Sequence, residues 1–253
     1  MELGAQLFTL RDYCKTLEDF SETLKKVADM GYKTVQVSGT CAYEGQWLAD
    51  ELKKNGLRCV ITHTPMDKIR DSTDTVIADH QAFDCRYVGI GCAPNCFAKG
   101  EEDMKALCDT IDAAGQKLAD NGMLLMYHNH ACEFQRSIDG RKYFDRLVQD
   151  YAPEVLGFTL DTFWAQYAGL TVTDLLRSLK GRVPCVHLKD LDVQVNKPVT
   201  APVGHGNMNF DAILAACADA DAKYLLVEQD DCYEDPFVCM KKSLDFLHSR
   251  GLR

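Results

Sequence analysis

Short apolar runs alternate with longer stretches in which apolar residues recur every three or four positions, and the alternation continues along the whole chain. The short runs predict strands over 4–10 (GAQLFTL), 34–39 (TVQVSG), 59–64 (CVITHT), 87–92 (YVGIGC), 124–129 (LLMYHN), 157–162 (GFTLDT), 184–189 (PCVHLK) and 224–229 (YLLVEQ). Between the first two, Leu17, Phe20, Leu24 and Val27 form one stripe, with Thr16 as N-cap and Gly31 as the stop. Met104, Leu107, Ile111 and Leu118 make a second stripe closed by Gly122. A last helix begins near Pro236 and turns Phe237, Met240, Leu244 and Leu247 inward.

Strand starts spaced by about 25 to 40 residues leave room for one helix and two turns per unit. Eight such units in 253 residues predict an α/β fold, a (β/α)8 TIM barrel in one domain spanning 1–253. An open doubly wound sheet would bring a glycine-rich phosphate turn after its first strand, where this chain has FTLRDYC instead. One connection, DLDVQVNKPVTAPVGHGNMNF after strand seven, reads as a long loop at the catalytic end of a barrel.

Composition narrows the partners. A formal charge of −10 argues against a nucleic-acid backbone, which needs a basic surface. No run approaches the roughly 20 apolar residues that span a bilayer, and MELGAQLFTLR does not read as a signal peptide, so no membrane partner and a cytoplasmic location are expected. The 12 cysteines are scattered through strands and helices, which favours reduced thiols. Cys92 and Cys96 have ligand-like spacing, but a structural zinc site needs four ligands and no second pair appears. A homo-oligomer is compatible with the sequence.

Active sites on such barrels lie at the C-terminal ends of the strands. There the chain places His63, then His128, His130 and Glu133, then Asp161, His187 and Glu228. Carboxylates and imidazoles converging from neighbouring strands suit a divalent cation, Mn²⁺, Mg²⁺, Co²⁺ or Zn²⁺. Each has a plainer reading: Asp161 as a helix cap, His187 as a satisfied core histidine, Glu228 as a chance carboxylate after an apolar run. His128 and His130, two apart, could also act as an H-x-H metal pair.

The motifs GAQLFTLR, THTP, YHNHACEF, LDTFWAQYAG, HLKD, PVGHGN and VEQD, in that order over nearly the whole chain, resemble the sugar phosphate isomerase/epimerase family of xylose isomerase-like TIM barrels. The resemblance implies metal ligands Glu133, Asp161, His187 and Glu228, with Glu133 and Glu228 also moving protons and His63 and His130 as alternative bases. It implies a metal-dependent isomerase or epimerase of a small carbohydrate, acting by proton abstraction beside a carbonyl through a metal-bound enediolate. A metal-dependent lyase or dehydratase on a keto-sugar, keto-glycoside or inosose is the alternative. An abasic-site endonuclease and a non-catalytic sugar-binding barrel are the remaining readings.

Substrate contacts are expected from Gln6, His128, Trp164, Lys189 and His205, with Phe8 and Arg11 at the end of strand one also candidates. The plainer readings are core packing for Trp164 and Phe8, a surface role for Arg11, a helix C-cap for Lys189 and an exposed loop for His205. Many relatives carry Gly-Glu-Gly where this chain has Gly204-His205-Gly206. An imidazole replacing a carboxylate there would shift substrate preference.

Overall fold

The computed structural model describes residues 1–253. Eight parallel strands close into a barrel: β1 (Glu2–Gln6), β2 (Thr34–Val37), β3 (Arg58–His63), β4 (Tyr87–Ile90), β5 (Leu124–His128), β6 (Leu156–Asp161), β7 (Cys185–Leu188) and β10 (Tyr224–Val227). Each pairs with its sequence neighbour in the barrel, and β10 pairs with β1 through Glu2↔Tyr224 to Ala5↔Val227. Ten helices surround the barrel. The N-cap at Thr16 accepts from Asp19 N and α1 (Leu17–Met30) ends at Gly31 with φ 114°, as its stripe and stop residue predict.

Alternation along the strands separates two cores. Leu125, Tyr127, Phe158, Leu160, Val186, Leu188, Leu225 and Val227 point outward into a cluster of 58 buried residues shared with the helices. Val60, Ile61, Tyr87, Met126, Cys185 and Leu226 form a separate cluster of 6 that plugs the barrel. Two residues further along β5, β7 and β10 from Met126, Cys185 and Leu226, the same inward parity delivers His128, His187 and Glu228. The lumen is therefore apolar below and ionisable at its C-terminal end.

Two elements differ from the sequence reading. The first strand stops at Gln6, and Leu7–Tyr13 coil into a 3-10 segment because the Gln6 side chain accepts from Phe8 N and caps it. The long connection after β7 contains an antiparallel hairpin, β8 (Asp190–Gln194) and β9 (Lys197–Ala201). Its turn places Val195 and Asn196 at φ 48° and 61°, the mirror-image geometry that matches strand twist. None of the helices is long and apolar enough to cross a membrane, and none of the 12 cysteines is in a disulfide.

Candidate functional site

At the end of the lumen, ligand atoms of His128, Asp161, His187 and Glu228 lie within 4.8 Å of one another, all buried. His187 Nδ1 stands 2.9 Å from Glu228 Oε2, and His128 Nε2 stands 3.3 Å from Asp161 Oδ2. The outer atom of each residue is tied by the surrounding protein. The far ring nitrogen of His187, Nε2, meets Gln36 Oε1 at 2.7 Å, and His128 Nδ1 meets the Gly91 carbonyl at 2.9 Å. Gln6 Nε2 donates to Glu228 Oε1 at 2.9 Å, and Trp164 N donates to Asp161 Oδ1 at 2.9 Å. Asn129 Oδ1 accepts from Asp161 N at 3.0 Å, which fixes that strand end. Asp161 thus caps α7 (Thr162–Tyr167) with one oxygen and offers the other to the lumen.

The inner atoms face one another and the Lys189 ammonium. His187 Nδ1 and Glu228 Oε2 are both buried and 2.9 Å apart. Ligands about 2.1 Å from a common ion lie about 3.0 Å apart along a cis edge, so this spacing fits two neighbours in one coordination sphere. Imidazoles whose far nitrogens donate to Gln36 and Gly91 turn lone pairs inward, the orientation a metal requires. By donor type and orientation these four residues fit a divalent cation.

The charge balance points the same way. Lys189 is fully buried, donates to both oxygens of Asp230 at 3.0 Å, and lies 2.9 Å from Asp161 Oδ2 and 3.0 Å from Glu228 Oε2. Burial disfavours its ammonium, but the carboxylates of Asp161, Glu228 and Asp230 outweigh that and raise its pKa. Burial also opposes the Glu228 carboxylate, yet Lys189 and His187 hold it well below the usual range. Asp230 is pushed up to about 6 by burial, which Lys189 only partly offsets. Three carboxylates face one ammonium, and against the effect of burial Asp161 and Glu228 also raise the pKa of His128.

A cavity of about 270 Å³ adjoins this cluster, lined in part by Gln6, Phe8, His63, His128, His130 and Glu228. His63 Nδ1 meets Ser38 Oγ at 3.1 Å, and its Nε2 is enclosed without a partner. The ring fits because residue 91 is glycine, where a Cβ would come within 2.9 Å of His63 Nδ1. Burial, then the neighbouring His128, lowers His63 well below its ordinary value and His130 to about 3, so both imidazoles are neutral near pH 7.

The remaining expected residues divide by position. Glu133 is buried outside the four-residue cluster: Oε1 accepts from the Tyr127 hydroxyl and Oε2 from His130 N, each at 2.7 Å. Tyr127 belongs to the outer core cluster, and His128, the next residue of β5, is the member of the four-residue cluster from that strand. His130 follows the end of β5 and does not join the cluster. Trp164 is partly buried behind it, with ring centroids 5.3 Å apart. Arg11 donates to the Phe8 and Asp230 carbonyls and so pins two strand-end loops.

His205 is exposed and away from the cavity. Its flanking Gly204 and Gly206 donate backbone N–H groups to Asp190 Oδ2 at 2.9 Å, so the Gly-His-Gly stretch is a turn wrapped around that carboxylate. Sequence reasoning missed Gln36, Asp190 and Asp230. A buried strand glutamine at Gln36 was the available signal, because its amide needs a polar partner.

Comparison with known proteins agrees with this architecture. An inosose dehydratase from Bacillus cereus (strain AH820) is 24% identical over 170 residues, covering 60% of this chain and 56% of its own length. The match thus spans little more than half of that relative. A sugar phosphate isomerase/epimerase from Parabacteroides distasonis ATCC 8503 superimposes with a TM-score of 0.81 at 20% identity, covering 98% of this chain and 93% of the other. An L-ribulose 3-epimerase superimposes at 0.73 with 15% identity over 98% and 94%. Residues 24–250 match the xylose isomerase-like TIM barrel family, and the chain belongs to it.

Proposed function

We propose that this protein is a divalent-metal-dependent isomerase or epimerase of a small carbohydrate, with His128, Asp161, His187 and Glu228 holding the ion. The observation that carries the proposal is the outward tethering of all four side chains, which leaves four buried ligand atoms within 4.8 Å of one another. A bound divalent cation would polarise a substrate carbonyl and stabilise the negative charge that develops on proton removal.

The chain's own groups would then move the proton. Glu228 from β10, His63 from β3 and His130 beyond β5 reach the cavity from three strands. Glu228 would take the proton beside the carbonyl, and His63 or His130, after taking up a proton from solvent, would return one from the other side as imidazolium. Return to the opposite face gives epimerisation; return to the neighbouring carbon gives isomerisation. Gln6 would orient Glu228, and Gln36 would orient His187.

Elimination is the second reading, favoured by the match to an inosose dehydratase. The same proton removal followed by loss of a β-hydroxyl would make the protein a lyase. Ketoses incubated in deuterated water with Mn²⁺ separate the two: solvent label entering without loss of water supports isomerase or epimerase, whereas release of water supports lyase. No label and no release with any keto-sugar, or turnover undiminished in Asp161→Ala and His187→Ala, would overturn both.

A further inference from the structure

Ser38, Gly39 and His63 line the cavity beside the metal cluster and also line a second, larger cavity of about 480 Å³. That second chamber lies between the ends of β2 and β3 and helices α3 (Met66–Asp71) and α4 (Thr73–Ala82). The wall between the two consists of the Ser38–His63 hydrogen-bonded pair and, beside it, Gly39. Gly39 is exposed at φ 71°, and a Cβ there would come within 2.8 Å of the Phe8 ring, so the position stays without a side chain.

The two chambers differ in size and chemistry. Sites for drug-sized ligands span roughly 300–1,000 Å³, so a cavity of about 270 Å³ holds one small unit and leaves the larger space unused. The larger chamber carries the aromatic rings of Tyr43 and Phe83, the hydroxyls of Thr40 and Thr64, and the Lys68–Asp79 ion pair at 2.9 Å. Aromatic faces beside paired donors and acceptors suit a ring with one apolar face and a rim of hydroxyls.

We propose that the substrate has two units. The reacting keto-sugar lies in the cavity beside His128 and Glu228, and a second sugar ring crosses Gly39 into the chamber beneath Tyr43 and Lys68. This rests on the carbohydrate reading above and adds the substrate's size and the residues that select it. His63, on the wall common to both chambers, faces the bond that joins the two units.

Calorimetric titration of the Mn²⁺-equilibrated protein with D-fructose and with the glucosyl-fructoses turanose, leucrose and isomaltulose tests the proposal. At least one disaccharide is expected to bind about tenfold more tightly than fructose, a preference worth roughly 1.4 kcal/mol. Ala42→Trp, which fills the chamber from an exposed position, should erase that preference, and Lys68→Ala should reduce it. Equal affinity for fructose and every disaccharide, or a preference unchanged in both variants, overturns the second subsite. The deuterium experiment reports separately. Label uptake by fructose with no disaccharide preference removes the subsite and keeps the chemistry; disaccharide preference without label uptake or water release from any ketose does the reverse.

Discussion

His128 and Glu133 lie five residues apart at the same end of β5, and their hydrogen bonds give them different surroundings. Both Glu133 oxygens are occupied, by the Tyr127 hydroxyl and His130 N, and burial raises its pKa. His128 Nε2 instead faces Asp161, with Nδ1 held by the Gly91 carbonyl. Glu133→Gln is therefore expected to leave divalent-metal affinity within about threefold, while costing about 1–3 kcal/mol of stability through an imperfectly paired buried group. His128→Ala should lower that affinity about a hundredfold or more, and Gln36→Leu, which frees the His187 ring, about 10–100-fold. Titration calorimetry with Mn²⁺ and urea unfolding of each variant provide the measurements; loss of binding in Glu133→Gln with retention in His128→Ala would reverse the assignment. Period-two alternation explains what was legible here. It orders residues within β5, but Glu133 lies beyond Asn129, where the chain has left strand geometry and the direction of a side chain is set by a tertiary hydrogen bond.

At the level of elements, the eight strands and the first and last helices follow from local signals, whereas the hairpin and α4 do not. The hairpin turn uses Val195 and Asn196 without glycine, and Pro198 in β9 argues against a strand unless it lies on a two-stranded ribbon where its missing N–H is tolerated. Asp190 holds the far side of that connection by accepting from the N–H groups of Leu191, Gly204, Gly206 and Met208, a set no sequence spacing announces. The α4 anchor is equally tertiary. His80 is buried, with Nδ1 at 2.8 Å from the Val76 carbonyl of its own helix and Nε2 at 2.9 Å from Thr62 Oγ1 on β3. Burial lowers its pKa to about 4, against the partial opposition of the Val76 carbonyl and Asp79. Between about pH 6.5 and about 4 the unfolded chain takes up this proton and the folded one does not. Stability present above pH 6.5 is accordingly lost as the pH falls, by about 3 kcal/mol from this one group. Urea unfolding at a series of pH values should show that slope, and His80→Gln should flatten it; an unchanged slope would mean that another group carries the effect.

Across the whole molecule, net charge and local charge act in the same sense. The chain carries a formal charge of −10, and its most deeply buried ionic group places Asp161, Glu228 and Asp230 around the single ammonium of Lys189. Lys189 serves the folded state whether or not an ion is present, because without it the enclosed carboxylates repel one another and must bind protons. A divalent cation held there, as proposed, would complete the neutralisation, and a ligand that binds only the folded state stabilises it by about 2.7 kcal/mol at a hundred times its Kd. For a chain of this length that corresponds to a rise in Tm of about 5–10 °C, reversed by EDTA. Lys189→Met is expected to destabilise the metal-free protein by about 3 kcal/mol while enlarging the Mn²⁺-induced shift, since the ion then meets the carboxylates without a competing ammonium. Differential scanning calorimetry of both proteins, with and without Mn²⁺, Mg²⁺, Co²⁺ or Zn²⁺, decides the matter. The absence of any shift in the native chain would remove the metal, and a smaller shift in Lys189→Met would show that the ammonium helps to organise the ligands and does not compete with the ion.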